Sequence, residues 1–436
     1  MPASNGISFP MAFLPFALDQ IPMPAYLVGG AVRDWLLQQQ HPARGLRSHE
    51  AKLDLDLVLE RSPLVWAERL AHQLGAGFVV LDPEREIARI VLAEATVDVA
   101  LQSGATLETD LRQRDFTCNA IALEIHSGVW IDPLQGYADI ERHCIRMVDP
   151  DNLSADPLRL LRAYRQAAQL NFAVDLETRE AIRQRHQLLA DVAAERIRTE
   201  ISYLLSTGMV GLDWLQQAWQ DRLLDGWLPE LTAAGFTWAQ RVLGWAPRLQ
   251  RLYPRSYAIL DQTLTDQRSL QICILLASLL SPESGVEQLD HRLKVLKYSR
   301  AEWQTTEKLH ELVPRILALG KDPTAVQMYS FFRAAGDLLP AVGLLAATQT
   351  TDSLDLDPWL SRYENPQDRL AHPAMLLDGR QLMQALNLKP GPQVGRILEQ
   401  VQQAYAIGEL DTSEQALAYA RQWQQPDHLN PSPLEY

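Results

Sequence analysis

Residues 53–60 read LDLDLVLE. Apolar and acidic residues alternate at period two, which is the period of a β-strand and not of a helix. Leu53, Leu55 and Leu57 then face a core, and Asp54 and Asp56 project together from the other side. Two carboxylates this close repel each other and gain by binding a divalent cation. Mg2+ suits carboxylates combined with substrate phosphates. An exposed amphipathic strand has the same pattern, so the chemistry has to be argued from the neighbouring sequence.

Upstream, AYLVGGAVRDWLLQQQ (residues 25–40) is a short apolar strand running into Gly29-Gly30, followed by a helical segment. Glycines let backbone approach a ligand closely, and a helix N-terminus offers unpaired N–H groups to an anion. Arg33 adds a guanidinium one turn in. The pattern is not GxGxxG and no GK[ST] follows, which argues against a Rossmann or P-loop site.

Downstream, PLVWAERLAHQLG reads as an amphipathic helix. FVVLD, EIARIVLAE and TVDVAL read as strands, the last two joined by a tight turn. The final strand carries Asp98, the candidate third carboxylate. RQRDFTCNA (residues 112–120) brings Arg114, Asp115 and Asn119, with the last two spaced to share a helix face. From about Asp156 apolar residues recur at helical spacing nearly to the end, with no fixed-period repeat. The expected fold is an α/β head followed by a long all-helical region.

In SADPLRLLRAYRQAAQLNF (residues 154–172), Pro157 suits the first helical position and Asp156 can cap it. Arg159, Arg162 and Arg165 recur at every third position. A carboxylate accepts from the amino group of cytosine, and a guanidinium donates to the acceptors beside it, so Asp156 with Arg159 can read a base edge. An N-cap followed by surface arginines is the simpler account of this stretch taken alone.

The chain has 436 residues, enough for about two to four domains. The apolar run Ile272–Leu280 is too short to span a bilayer. The first 32 residues contain no Lys or Arg, so a signal peptide's basic start is missing. Cys118, Cys144 and Cys273 show no CxxC spacing, which argues against a zinc site or a disulfide scaffold. A cytoplasmic location without a membrane partner is expected. The net charge of −14 disfavours a nucleic-acid partner on average, but binding uses local patches. Residues 231–260 contain no acid and four arginines, Arg241, Arg248, Arg251 and Arg255, and HRLKVLKYSR (residues 291–300) is also basic.

Taken together and in this order, the motifs resemble those of class II tRNA nucleotidyltransferases and the related bacterial poly(A) polymerases, the CCA-adding enzyme family. VGGAVRD looks like the family's nucleotide-binding motif and LDLD like its catalytic DxD. RQRDFTCNA resembles RRDFTxNA, and ADPLRLLRAYRQAAQL resembles EDPxRxLRAxRFAAxL. AERIRTEISYLL (residues 194–205) resembles the ERIxxEL stretch, and RLKVLKYSRAEW (292–303) and LNLKPGPQVGRILEQV (386–401) look like the family's body and tail. The resemblance covers about residues 24–410 and implies a polymerase-beta-type nucleotidyltransferase head with all-α neck, body and tail. The implied layout is an N-terminal extension (1–23), head (24–145), nucleotide-reading neck (146–205), body (206–300) and tRNA-binding tail (301–436).

The same resemblance implies roles. Asp54 and Asp56 would bind Mg2+, with Asp98 a further catalytic acid. Gly29, Gly30, Arg33 and Asp34 would hold the triphosphate and the metal's surroundings. Arg114, Asp115 and Asn119 would shape the nucleotide pocket. Asp156 and Arg159 would serve as template for the incoming base, supported by Arg162 and Arg165. The implied reaction is Mg2+-dependent attack of the tRNA 3′-hydroxyl on the α-phosphate of CTP, with ATP as the alternative substrate, releasing pyrophosphate. The partner is the tRNA acceptor stem and 3′ end, not DNA.

The sequence departs from the family pattern at Ala155, where Glu is usual, and at Gln113, which replaces the first Arg of RRDF. No HD-type motif follows, so no added phosphatase domain is expected. The largest departure is the connector ALQSGATLETDLRQ between Asp98 and Arg114. Members that complete CCA carry a longer insert there, with a flexible loop that helps the pocket switch from CTP to ATP. The short connector resembles the specialised CC-adding enzymes. Full CCA addition, A addition and poly(A) synthesis are the alternatives, and a non-catalytic RNA-binding homologue is the reading from another class.

Overall fold

The LDLDLVLE stretch is a β-strand at the middle of a seven-stranded sheet. In a computed structural model, which describes residues 14–40, 53–265, 268–280, 286–349 and 354–423, the chain divides into two units, Met1–Pro229 and Glu230–Tyr436. Residues 1–13 of the expected N-terminal extension and 424–436 of the expected tail lie outside the described residues.

The first unit runs β1 (Ala25–Val28), α1 (Gly30–Gln40), β2 (Leu53–Leu59), α2 (Pro63–Leu74), β3 (Gly77–Asp82), β4 (Ile87–Val91), β5 (Ala95–Leu101), α3 (Leu107–Arg112), β6 (Ala122–Glu124), β7 (Trp130–Ile131), α4 (Gly136–Glu141) and β8 (Cys144–Ile145). The sheet order is β3-β4-β5-β2-β1-β6-β7. Its one parallel pairing, β2 with β5, sets Asp56 beside Asp98. The apolar side of β2, Leu55, Leu57 and Leu59, is almost fully buried. Helix α1 packs on β1 and β2, and α2 on β3, β4 and β5. Pro63 opens α2, and Gly75 ends it in the left-handed region, where glycine carries no Cβ penalty.

Five helices complete this unit: α5 (Pro150–Ala155), α6 (Leu158–Leu170), α7 (Leu176–Arg185), α8 (Ala194–Ser206) and α9 (Met209–Gln220), with β9 (Ala173–Val174) pairing β8. Helix α6 buries Leu158, Leu161, Tyr164 and Ala168, residues three and four apart on one face, against α8 and α9. The Tyr164 hydroxyl donates to Asp221 at 2.6 Å, and Arg179 and Arg183 donate to the same carboxylate. A buried acid with this many donors stays ionised without an unpaired charge.

The second unit is almost entirely helical. Leu270–Leu279 is buried on every side, which is why its sequence lacks amphipathic period. Arg268 makes a buried ion pair with Glu302, at 2.5 and 3.1 Å. Ala325–Gln349 is long and apolar enough to cross a membrane by composition. A 3-10 turn at Gly336–Leu338 breaks it, and most of it is buried, so it serves here as core. Helices Gly379–Leu386, Pro392–Ala406 and Ser413–Gln422 close around a separate apolar cluster that includes Leu382, Ile397 and Val401.

Candidate active site

Residues paired directly across neighbouring strands point to the same face of a sheet. One such row reads Ala122, Val28, Asp56, Asp98, Arg89, Val79. The β1 half of that face is covered: Val28, Val58, Ala120 and Ala122 pack with Leu107 and Leu111 of α3. Past that cluster the face carries Asp54, Asp56, Asp98 and Arg89. Period-two reading of the sequence thus put the two aspartates on one side, and the parallel β2–β5 pairing brought Asp98 to them.

Asp54 is exposed and accepts a 2.7 Å bond from the Thr96 hydroxyl. Burial pushes the Asp56 carboxyl up to about 6; Arg114 opposes the shift, while the negative charges of Asp54 and Asp98 add to it. Gly29 lies against this carboxylate at φ +77°, and a Cβ there would sit 2.6 Å from Asp56 Oδ2 and 3.6 Å from Arg114 Nη1. Only glycine fits both the backbone conformation and the approach. Asp54 and Asp56 are hard oxygen donors held together, and a bound cation would offset the burial and like charge that raise the Asp56 carboxyl. These residues fit Mg2+ bound jointly with substrate phosphates. Among the described residues no group of three or more His, Cys, Asp or Glu could hold a metal ion by itself.

Asp98 is engaged differently. Both its oxygens accept from Arg89 at 2.7 Å, one from Nε and one from Nη2.

Behind Gly29 lies a buried polar network. Arg33 donates to Asn119 Oδ1 at 2.7 Å and to Asp34. The Asn119 amide donates to Asp115 at 2.9 Å and to Gln166 at 3.0 Å. Arg162 donates twice to the second Asp115 oxygen. Burial alone would raise the Asp115 pKa, but Arg162 and the bonds from Asn119 and the Phe116 N–H hold it at about 2. Asp115 and Asn119 do meet, though not on a shared α-helix. The chain leaves α3 at Arg112 and forms a 3-10 turn at Thr117–Asn119, which brings the two side chains together. Arg114 reaches back to Asp110 at 3.2 Å. Arg165 pairs with Glu200 and Gln169, both at 2.5 Å.

The expected capping of α6 by Asp156 is not formed. Pro157 sits at the N-cap of α6, one position before the helix, and Asp156 makes no capping bond there. Its two oxygens accept instead from Arg196 of α8, at 3.1 and 2.9 Å. Arg159 turns the other way and donates to the carbonyls of Gln113 and Asn152.

The connector between Asp98 and Arg114 is tied to β2 and to itself. Gln102 N–H bonds to Leu59 O at 2.8 Å, Ser103 N–H to Asp110 at 2.9 Å and the Ser103 hydroxyl to Gln113 at 2.6 Å. Thr106 caps α3, and Gly104 at φ +80° lies so close to Thr109 that a Cβ would meet its methyl group at 2.5 Å.

Three site residues escaped the sequence reading. Arg89 is a lone cation inside the apolar strand EIARIVLAE. Arg196 lies in AERIRTEISYLL. Gln166, buried with the Asp115 network, stands where RFAA has Phe. Arg89 was visible as a polar residue in an apolar strand, whereas Arg196 stands among other charged residues; the partners lay 9, 40 and 47 positions away. The basic stretch at 231–260 is less free than it reads: Arg241 donates to Thr348 O, Arg248 pairs with Asp357, and Arg255 lies over Tyr363.

A mixed sheet with paired carboxylates, a Gly-Gly turn against them and an arginine-rich helix beside them defines a nucleotidyl-transferring head. The sequence matches the Poly A polymerase head domain over residues 25–146, the probable RNA and SrmB-binding site of polymerase A over 171–234, and the putative tRNA nucleotidyltransferase domain 2 over 268–420. It is 37% identical over 412 residues to a CC-adding tRNA nucleotidyltransferase of Synechocystis sp., covering 94% of this chain and 96% of that one. It is 31% identical to an A-adding tRNA nucleotidyltransferase of Deinococcus radiodurans, covering 93% and 97%. The Thermotoga maritima CCA-adding enzyme complexed with tRNA shares the fold, with a TM-score of 0.70 at 20% identity over 93% of each chain. The chain belongs to the tRNA nucleotidyltransferase and poly(A) polymerase family and is a template-independent RNA nucleotidyltransferase.

Proposed function

We propose that this enzyme adds CC to the 3′ end of tRNA, using CTP and Mg2+ at Asp54 and Asp56. The observation that carries the CC assignment is the connector from Asp98 to Arg114, which is short and bonded along its length. A pocket that changes from CTP to ATP needs a segment free to move, and a short, hydrogen-bonded connector supports a pocket that keeps to one nucleotide. The similarity to the Synechocystis CC-adding enzyme supports the same reading. Head, neck, body and tail over 24–145, 146–205, 206–300 and 301–436 are the working division, with the tRNA acceptor stem held by the helical parts.

The residues divide the work by position. Gly29 and Gly30 present N–H groups to the triphosphate, and Arg33 braces the turn from the buried network behind it. Asp54 and Asp56 hold Mg2+, which when bound stabilises charge on the phosphates and favours the attacking form of the 3′-hydroxyl. Arg114 and the Asp115–Asn119–Arg162 network fix the wall of the nucleotide pocket, which is mainly a positioning task. Asp156 accepts from the cytosine amino group.

The test is incorporation on a tRNA lacking its 3′ CCA, with CTP alone, ATP alone and both, followed by sequencing of product 3′ ends. Products ending in CC with either CTP alone or both nucleotides are expected. A terminal A added after CC at a rate comparable to C addition overturns the CC reading in favour of CCA addition. A product of A alone on a CC-ended tRNA favours the activity named for the Deinococcus relative.

A further inference from the structure

Helix α6 meets the buried polar network through Arg162 and Gln166, four positions apart on one face. Arg162 binds Asp115. Gln166, which is 3% exposed, reaches Asn119, Arg33 and Asp115 together. Its Oε1 accepts from the Asn119 amide at 3.0 Å and from Arg33 Nη1 at 3.4 Å, and its Nε2 donates to Asp115 Oδ2 at 3.3 Å. An amide donates and accepts at once, whereas the arginine only donates and the ionised carboxylate only accepts. The phenylalanine of RFAA offers none of these bonds. Arg33 in turn belongs to the first turn of α1, and its backbone N–H donates to Gly29 O at 3.3 Å. Gln166 thus ties α6 to the glycine turn that lies against Asp56.

The reading above, on which this inference rests, puts the base against Asp156 at the start of α6 and the triphosphate at Gly29 and Gly30. The reacting α-phosphate lies between these two holds, where a displacement of about 1 Å costs about 100-fold in rate. We propose that Gln166 is a positioning residue that sets nucleotide specificity. It locks α6 to the glycine turn, so that only a base seated correctly on α6 brings its α-phosphate to the paired carboxylates. Without the lock, helix and turn adjust independently, and a mismatched base reaches a productive position.

The experiment measures steady-state turnover of CTP and of UTP by the full chain on a tRNA primer lacking its 3′ CCA. Wild type is compared with Gln166→Met and Gln166→Phe. Methionine nearly keeps the volume and removes the bonds. Phenylalanine is the residue of the family motif and serves where the first variant does not fold, as thermal melts show. The ratio of CTP to UTP kcat/KM is expected to fall about tenfold in both variants, the size of one to two hydrogen bonds. The change comes chiefly through kcat, and the primer KM stays within about twofold of wild type. A merely structural role lowers the active fraction, which slows both nucleotides by the same factor and leaves the ratio alone. An unchanged CTP to UTP ratio in a folded variant, or a change confined to the primer KM, would overturn the inference. Wild-type enzyme that adds a terminal A after CC would instead defeat the CC assignment. The CTP to UTP ratio still decides the lock in that case, because UTP is a substrate of neither activity.

Discussion

Asp156 and Arg196, 40 residues apart in the chain, form a two-bond ion pair at 3.1 and 2.9 Å. The carboxylate expected to read cytosine is therefore oriented from α8, while Arg159 is occupied with backbone carbonyls. Each carboxylate oxygen has a second lone pair, so Asp156 can accept from a base amino group while Arg196 holds it.

Arg196→Ala should loosen base selection more than folding. The pair is half exposed, and such pairs contribute about 0–1 kcal/mol to stability, so the melting temperature should barely move. The ratio of CTP to UTP incorporation should fall by about tenfold, equivalent to one hydrogen bond to a charged group. Unaltered discrimination in competition assays would show that Arg196 is only a surface partner.

Asp54→Ala and Asp56→Ala should each abolish transfer while leaving tRNA binding close to wild type. Asp54 is exposed, so its loss does not disturb the core. Filter binding and CTP incorporation measured side by side check this. Full activity in either variant would sink the assignment of the paired acids.

Gly29→Ala tests the close approach. The left-handed backbone costs an L-residue about 1–2 kcal/mol, and the new methyl group would lie 2.6 Å from Asp56 Oδ2. Transfer should fall by at least about tenfold, with only a modest drop in melting temperature. Wild-type kcat in this variant would mean that Asp56 need not sit against the turn.

Asp115 makes a pH prediction. Its folded pKa of about 2 lies below the unfolded value of about 3.9. The unfolded state therefore binds the proton first, and stability is lost as pH falls from about 4 towards 2. The difference amounts to about 2–3 kcal/mol at neutral pH. Asp115→Asn should be less stable than wild type above pH about 5, and the gap should narrow as the pH approaches 2. Thermal melts of both proteins across that range measure it; a gap independent of pH would assign the loss to packing.

Much of the head was legible because its signals are local. Alternation at 53–60 fixed a strand with both aspartates on one side, and Gly29-Gly30 before a helical segment fixed a turn that only glycine tolerates against Asp56. The order of motifs pointed to the family before any contact was known. Helix α6 was visible from its apolar spacing, although its start came one residue later than Pro157 suggested.

Charge pairing was not legible, because a side chain's partner depends on which strands and helices become neighbours. Spacing showed Asp156 and Arg159 three positions apart at the start of α6; packing of α8 against α6 added Arg196 as the partner of Asp156. The parallel β2–β5 register set Asp56 beside Asp98, and the antiparallel β4–β5 register gave Asp98 to Arg89. The chain's own sequence thus determined which residues carry the chemistry and on which local elements they stand. Only the tertiary structure decided which charges neutralise one another and which are left exposed on the sheet face, since Coulomb energy depends on distances that no local spacing sets.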